Sequence, residues 1–288
     1  MLFFLGGIDM EEKYYWIWLS LIPNIGIKRI KKLLDIYKKP ENIYKLNKER
    51  LMKIQGIGES ITNSILDINI RKAVDKHIKY MEINNIDIIP IVDKNYPSNL
   101  KEIYDPPISL YVKGNKNILN NNNIAIVGCR NASDYGKKAA KYFGYNLSKK
   151  GTNIVSGLAR GVDSCAHIGN LSTIMEQTYQ QNRSYTHVDK LNTCGKPIAV
   201  VGNGLDTVYP KENKELQEKI LGLGGIIVSE YPLGTKPNKM NFPARNRIIS
   251  GLSKRSYCNR SKRKKWNFNN CRFCFRTRKG RLCGSRKY

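Results

Sequence analysis

The sequence predicts an α/β protein in which a doubly wound parallel sheet follows a small helical domain. Two observations support this fold class. Residues 14–70 carry apolar residues at three- and four-residue spacing, as helices with one buried face do. From Asn123 onward, short apolar runs alternate with helical stretches, and each run ends in Gly or small polar residues. That alternation is typical of parallel strands joined by helices.

The helical domain, assigned to residues 1–75, contains two similar glycine turns. IPNIG occupies residues 22–26, IQGIG occupies residues 54–58, and a helix-like run follows each. A helix, a glycine turn and a second helix present backbone N–H groups to a phosphate. The pattern resembles the SAM-like helix-hairpin-helix DNA-binding module, and two ordinary tight connections in a small helical bundle would give the same turns.

Residues 76–122 are predicted to be a linker and lead-in, because YDPPISLYVKG (residues 104–114) is Pro-rich. The α/β domain is then assigned to residues 123–254, with helices expected over 135–149 and 212–221. Its strands are predicted in IAIVG (124–128), NIVSG (153–157), PIAVVGNG (197–204) and GIIVSEYP (225–232). Ligands of such sheets bind at the carboxyl ends of the strands, so we expect the site there.

The charge balance points to a polyanionic partner. The formal net charge is +27, and basic surfaces gain affinity for phosphate backbones by releasing counterions. Lys254–Tyr288 hold 14 Lys or Arg and no Asp or Glu, which leaves 36 basic and 23 acidic residues before them, a net charge of +13. The basic character therefore weakens without this tail but survives.

The N-terminal apolar run is too short to cross a membrane. Residues 2–8 are followed by Asp9, Glu11 and Glu12, and no basic segment precedes them. We therefore expect a cytoplasmic protein, without membrane association, whose Cys129, Cys165 and Cys194 are free thiols. A translation start at Met10 would make residues 1–9 an untranslated leader.

Two motifs at predicted strand ends carry candidate phosphate-binding groups. In VGCRNAS (127–133), Gly128 allows a tight turn beside Arg130, but the motif is not the GxGxxG of dinucleotide sites. In SGLARGVDSCAH (156–167), Ser156, Gly157 and Gly161 surround Arg160 at a strand-to-helix turn, as in an anion-binding nest. A tight turn with a solvated arginine explains each motif alone about as well.

Two further motifs follow in the second half of the domain. GNGLDTVYPKEN occupies residues 202–213, and FPARNRIISGLS occupies residues 242–253. In the latter, Arg245 and Arg247 flank Asn246 just ahead of a predicted apolar helix. An arginine pair at this spacing more often lies on a solvated face.

Taken together and in this order, SGLARGVDSCAH, GNGLDTVYP, VSEYP and FPARNRIISGLS resemble the DprA/Smf family of DNA-processing proteins. The resemblance runs from about Ile86 to Ser253. It implies an extended Rossmann-like fold that binds single-stranded DNA, forms homodimers and loads the RecA recombinase during natural transformation. It implies no catalysis, no cofactor and no resident metal.

Matching the motifs position by position gives candidate DNA contacts. They are phosphate-binding arginines, turn residues and an aromatic ring, namely Gly128, Arg130, Ser156, Gly157, Arg160, Gly161, Phe242, Arg245, Asn246 and Arg247. Such groups suit binding without sequence preference. Phe242 is the candidate for base stacking, although core packing would also account for a phenylalanine there.

The sequence departs from the family pattern in two places. About 15 to 20 polar residues are added within 170–194, which is long for an α/β loop. After residue 254 the family continues with a strand, an acidic residue and an SG turn, whereas this chain reads RSYCNRSKRKKWNFNNCRFCF. We therefore expect residues 255–288 to be disordered or poorly packed, with the sheet edge unpaired and dimerisation and RecA loading impaired.

Three explanations compete for this tail. A zinc site from Cys258, Cys271, Cys274 and Cys283 has only one CxxC and irregular spacing, and a basic nucleic-acid arm is the second explanation. The third is a frameshift near codon 254. Moving the frame by one base, with A-rich codons, gives EVIVIEAKEKSGTLITADFAL and later YAVPGN, which resemble the family.

Two other functions remain open from the sequence. Rossmann-like relatives of the family include nucleotide phosphoribohydrolases, for which Glu230 in VSEYP is the best-placed acid and His167 a general base by position. The PGGxGT motif of those enzymes is absent from this sequence, and a structural hydrogen bond explains Glu230 better. The other alternative is a non-functional pseudogene product.

Overall fold

The computed structural model describes residues 10–181, 194–259 and 281–284. The helices are α1 Met10–Leu21, α2 Gly26–Tyr37, α3 Pro40–Tyr44, α4 Lys48–Met52, α5 Glu59–Leu66, α6 Ile68–Ile83, α7 Ser98–Lys101, α8 Asp134–Lys149, α9 Val162–Gln181, α10 Lys214–Gly222 and α11 Asn241–Leu252. The strands are β1 Ile86–Pro90, β2 Ser109–Gly114, β3 Asn123–Gly128, β4 Asn153–Ser156, β5 Pro197–Val200, β6 Ile226–Ser229, β7 Arg255–Asn259 and β8 Arg281–Gly284.

The eight strands form one sheet in the order β1-β2-β6-β5-β4-β3-β7-β8. The six strands from β6 to β8 are parallel, and β2 and β1 are added antiparallel at one edge. The strand order therefore reverses direction beside β3, as in doubly wound sheets. The predicted α/β fold class is confirmed.

Alternating side chains of the strands enter separate cores on the two faces of the sheet. Ile226 and Val228 pack in the core that contains Ile248 and Leu252 of α11. Ile227, between them, packs in the core that contains the N-terminal helices. Because successive strand residues point to opposite faces, a fully apolar strand such as β6 is covered on both sides.

The N-terminal helices pack directly against the sheet. Trp16 and Trp18 of α1 belong to the same buried cluster as Ile227. The hydroxyl groups of Ser20 and Tyr111 lie 2.6 Å apart, and Lys13 Nζ is 2.6 Å from Asp87 Oδ1. The helical region is thus attached to the sheet by both apolar and ionic contacts.

Both predicted glycine turns of this region are present, between α1 and α2 and between α4 and α5. Arg29 holds them together, because its Nε donates to the Gly56 carbonyl at 2.9 Å and its Nη1 to the Ile25 carbonyl at 3.4 Å. Gly26 and Gly56 have φ of +67° and +91°, which only glycine adopts readily.

The prediction of a linker over residues 76–122 is wrong. This segment contains β1 and β2, which pair with each other, and β2 pairs with β6. Leu110 and Tyr111 in β2 are fully buried. The prolines of YDPPISLYVKG mark the turn before the strand, whereas the strand itself depends on pairing with β6 more than 110 residues later.

The inserted segment begins as helix. α9 continues to Gln181, well beyond the SGLARGVDSCAH motif, so residues 170–181 are not a loop. Ile174 is buried and packs into the core shared with the N-terminal helices. The remainder of the predicted insertion, from 182 to 193, lies outside the described residues.

The expectation of an unpaired sheet edge after residue 254 is wrong. Arg255–Asn259 form β7, which pairs with β3 from Ile124↔Arg255 to Gly128↔Asn259, and β8 pairs with β7. Strand pairing uses main-chain groups, so β3 accepts a neighbour of very different side-chain composition. The prediction for residues 260–280 and 285–288 lies outside the described residues.

Candidate functional site

The carboxyl edge of the sheet holds a cavity of about 220 Å³. The loops after β3, β4 and β5 and the first turn of α11 surround it. The lining residues are Arg130, Asn131, Gly157, Ala159, Arg160, Val201, Gly202, Asn203, Tyr209, Pro210, Phe242 and Arg245. The cavity lies where the strand pattern predicted the site, and five of the predicted residues line it.

The carboxylate of Asp163 connects the loop after β3 with the loop after β4 beneath the cavity. Its carboxylate accepts hydrogen bonds from the backbone N–H of Gly157 at 3.2 Å and of Gly128 at 3.4 Å. Burial raises the pKa of Asp163, and the charge of Arg245 and these backbone donors act in the opposite direction. Gly161, with φ of +81°, brings the loops together because a Cβ there would overlap the carbonyl of Arg130.

Arg245 forms the floor of the cavity. It is 5% exposed, and its Nη1 donates to the Gly157 carbonyl at 2.6 Å and to the Val200 carbonyl. Burial lowers the pKa of Arg245, while the charge of Asp163 raises it. The expectation of a solvated arginine ahead of a helix is wrong, since Arg245 lies inside α11 and anchors the ends of β4 and β5.

Aromatic rings and an arginine form the mouth of the cavity. The half-buried Phe242 stacks on Tyr209 with ring centroids 5.4 Å apart and planes at 24°. The exposed guanidinium of Arg130 lies 5.0 Å from the centroid of the Phe242 ring. Phe242 therefore lies at the cavity, and sequence reasoning missed its partner Tyr209, although the GNGLDTVYP motif contains it.

Arg160 is the second exposed arginine of the cavity, and it forms an ion pair with Glu212. Both side chains are largely exposed, at 65% and 47%, so this pair is weak and opens at little cost. Arg160 can therefore exchange Glu212 for a phosphate.

Arg247 lies away from the cavity lining. It is 7% exposed and pairs with Glu230, whose side chain is as buried as its own, and its Nε is 3.5 Å from Asp105. The expectation of a solvated arginine is wrong here as well. The remaining candidates, Gly128, Ser156, Gly161 and Asn246, also lie outside the lining, and Ser156 Oγ donates to the Ile126 carbonyl at 2.6 Å.

The two residues weighed for catalysis are not brought to the cavity. Glu230 is held in the ion pair with Arg247. His167 is fully buried in α9, and neither ring nitrogen has a hydrogen-bond partner among the described residues. Burial lowers the pKa of His167 to about 3, so its ring is neutral.

Within the part of the chain that the structure describes, no group of three or more His, Cys, Asp or Glu side chains could hold a metal ion. Cys271 and Cys274, half of the zinc site considered above, lie outside that part. No helix in residues 10–181 or 194–259 is long and apolar enough to cross a membrane.

The fold and this cavity define an α/β protein whose parallel sheet presents glycine turns, arginines and stacked rings at its carboxyl edge, a combination suited to a ligand with phosphates and flat rings. The chain belongs to the DNA recombination-mediator protein A family, whose model matches residues 87–180 and 183–276, more than half of the sequence. Residues 19–67 match the SAM-like helix-hairpin-helix tandem.

Individual relatives agree with this membership. Protein Smf of Synechocystis is 34% identical over 252 residues, which cover 85% of this chain and 57% of the relative. Protein Smf of Escherichia coli is 39% identical over 64% of this chain and 44% of its own length. DNA processing protein DprA of Streptococcus pneumoniae is 36% identical over 73% of this chain and 74% of its own. The chain thus spans about half the length of the two Smf relatives.

Two solved structures share the fold. The X-ray structure of DNA processing protein A from S. pneumoniae superposes with a TM-score of 0.72 at 29% identity, covering 94% of this chain and 86% of that one. DNA processing protein A from Helicobacter pylori, whose structure describes a single-stranded DNA binding mode, gives a TM-score of 0.55 at 27% identity over 69% and 80% of the two chains.

Proposed function

We propose that this chain binds single-stranded DNA in the cavity at the carboxyl edge of its sheet. The observation that carries the proposal is the arrangement of Arg130 over Phe242, with Phe242 stacked on Tyr209. A single strand offers unpaired bases to such rings and phosphates to the arginines beside them. The family and the H. pylori structure support this ligand.

The cavity distinguishes the roles of its arginines. Arg130 and Arg160 are exposed and serve as phosphate partners. Arg245 is bound to main-chain carbonyls, so it shapes the Gly157 turn and adds positive potential beneath the strand. Phosphate and stacking contacts carry no base code, and the expected binding is independent of sequence.

The test compares Arg130→Gln and Phe242→Ala with Lys72→Gln, a control that removes one charge from the exposed face of α6. Fluorescence anisotropy with labelled oligo-dT and oligo-dA measures affinity at several salt concentrations. We expect Arg130→Gln to weaken the binding of both oligonucleotides. It should also lower the slope of log affinity against log salt concentration by about 0.7. Phe242→Ala should weaken binding by roughly 1–3 kcal/mol. If both cavity variants bind like the control, the cavity is not the DNA site.

We propose, more finely, that the chain acts in the cytoplasm as a recombination mediator that loads the RecA recombinase and functions as a homodimer. The family description supports the mediator role. The test is RecA-dependent strand exchange on single strands covered by single-strand-binding protein, with light scattering to give the oligomeric state. A monomer that gives no stimulation would contradict this part while leaving DNA binding intact.

We also propose that residues after about 254 are read one base out of the family's frame. The support is that the shifted frame gives an apolar strand over the residues that form β7, and then the acidic residue and the SG turn that follow this strand in the family. In that case the 14 positive charges of the tail are an accident of the frame, and the chain as written dimerises and loads RecA less well than a chain restored to the family's frame. Sequencing the gene across codons 245–288 tests this, and a confirmed frame would make the tail's basic residues the next to substitute.

A further inference from the structure

We propose that the outer face of α8 is a second contact surface for single-stranded DNA, which guides the strand away from the cavity. This inference rests on the proposed function and adds a surface to it. The residues concerned, called the α8 stripe, are Tyr135, Lys138, Tyr142, Tyr145 and Lys149. Their spacing of three and four residues places them along one side of the helix.

The α8 stripe faces solvent because the other side of the helix is used for packing. Gly136, Ala140, Gly144 and Ser148 are the buried residues of α8, and a Cβ on Gly144 would overlap the carbonyl of Ala166 in α9. Tyr135 and Tyr142 are each 63% exposed. Two large rings displayed on one helix face, seven residues apart, are typical of a surface that binds a partner.

The charge around these rings is mainly positive, which indicates a negatively charged partner. α8 contains Lys137, Lys138, Lys141 and Lys149 but a single carboxylate, Asp134, which pairs with Lys137 at 3.8 Å. One carboxylate of α9, Glu176, accepts a hydrogen bond from the hydroxyl of the half-buried Tyr145. Lys138 and Lys141 are exposed and lie between Tyr135 and Tyr142 along the helix. Lysines satisfy phosphates, and tyrosine rings stack on bases, so alternating lysine and tyrosine matches a single strand better than an acidic protein surface.

The stripe is continuous with the cavity. Asn131, which lines the cavity, lies two residues before Ser133, whose Oγ caps α8 by accepting from the Gly136 N–H at 3.2 Å. A 16-residue helix is about 24 Å long, so the stripe runs from the cavity mouth toward the opposite edge of the sheet. A strand leaving Arg130 therefore meets Tyr135 first and Tyr142 about 10 Å further on.

The experiment compares two probes on the full chain: oligo-dT of about 5 nucleotides, which fills only the cavity, and oligo-dT of about 20, which also covers α8. The variants are Tyr135→Ser/Tyr142→Ser, with Tyr135→Phe/Tyr142→Phe as the matched pair that keeps the rings. We expect the serine pair to lose roughly tenfold or more in affinity for the long probe only. The phenylalanine pair should bind both probes like the parent.

A second pair, Lys138→Gln/Lys141→Gln, should lower the salt slope for the long probe by about 1.4, against no change for Lys72→Gln. Circular dichroism melts check that the exposed substitutions leave the fold intact. If the serine pair binds the long probe as the parent does, the α8 stripe serves another partner and the proposal is wrong. If the parent binds neither probe, the proposed function itself has failed.

Discussion

Arg245 Nη1 lies 2.6 Å from the carbonyl oxygen of Gly157, and the same guanidinium occupies the space where a Cβ on Gly157 would lie. The turn after β4 and the floor of the cavity are therefore one unit. Neither residue can be enlarged or moved without the other, because Arg245 is buried and held at two carbonyl groups.

Gly157→Ala should therefore destabilise the protein. The new methyl group must displace a buried guanidinium and disturb its hydrogen bonds, at a cost of about 1–3 kcal/mol in the free energy of unfolding. Urea denaturation at neutral pH measures the loss. Gly222→Ala is the matched control, because Gly222 is exposed on α10 with open space at its Cβ position, and alanine there should be neutral or slightly stabilising. Equal stability of the two variants would show that the guanidinium moves freely.

Glu230→Gln should be strongly destabilising and leave DNA binding by the folded fraction unchanged. Glu230 and Arg247 are each 9% exposed at the side chain, and removing the Glu230 charge leaves the buried Arg247 with only the partly exposed Asp105, 3.5 Å from its Nε, at a cost of about 3 kcal/mol. Thermal and urea unfolding test this, with Glu215→Gln in the exposed Glu215–Lys219 pair as control. A stable Glu230→Gln variant that lost activity toward a nucleoside monophosphate would instead support the enzyme alternative.

The local sequence pattern predicted the part of the fold that depends on neighbouring segments. β3 to β6 were found because each is a buried apolar run bounded by glycine or polar residues, and α8 began within one residue of its predicted start. β2 was missed since it pairs with β6, which lies far along the chain, and β1 was missed with it because β1 pairs with β2. Pairing across such distances leaves no periodic signal of its own.

The local sequence pattern also predicted part of the candidate site, because it located the ends of the strands. Arg130, Gly157, Arg160, Phe242 and Arg245 meet at one cavity, as the rule for strand ends requires. The burial of Arg245 could not be predicted, because its acceptors belong to residues 88 and 45 positions away. Arginines are usually solvated, and only the tertiary structure shows that carbonyl groups at the ends of β4 and β5 accept hydrogen bonds from this one.

Asp87→Asn should weaken the attachment of the helical region to the sheet. Burial raises the pKa of Asp87, but hydrogen bonds and charges from Lys13 and Lys116 outweigh it and leave the pKa below its ordinary value. Its contribution, about 1 kcal/mol, is therefore present at neutral pH and is lost as the pH falls through the lowered folded-state pKa. Parent and variant should converge once the pH lies below that lowered folded-state pKa.

Urea denaturation at pH 7 and at low pH measures this difference. Glu59→Gln is the control, because the Lys48–Glu59 pair joins exposed side chains and should contribute less than about 0.5 kcal/mol. A difference between parent and Asp87→Asn that persists unchanged into strong acid would mean that the carboxylate charge is not what joins α1 to β1.

His167→Leu should remove a pH dependence of the free energy of unfolding, in a pH range above that of the Asp87 effect. His167 is fully buried, burial lowers its pKa to about 3, and the unfolded chain protonates the ring near pH 6.5. The unfolded state therefore binds more protons between these values, and the parent should lose about 1.4 kcal/mol for each pH unit below about 6.5. Above that pH the histidine is neutral in both states and contributes no slope.

Leucine suits the site because both ring nitrogens of His167 lack a hydrogen-bond partner among the described residues. Replacing an unpaired buried polar group by an apolar one of similar size costs little or is stabilising. We expect the variant to match or exceed the parent at pH 7 and to have a flatter profile between pH 7 and 5 in urea denaturation. This window lies well above that of Asp87, so the two effects separate. A variant that retains the parent's slope would show that His167 is not the titrating group, and a loss of more than about 1 kcal/mol at pH 7 would show that its ring is hydrogen-bonded after all.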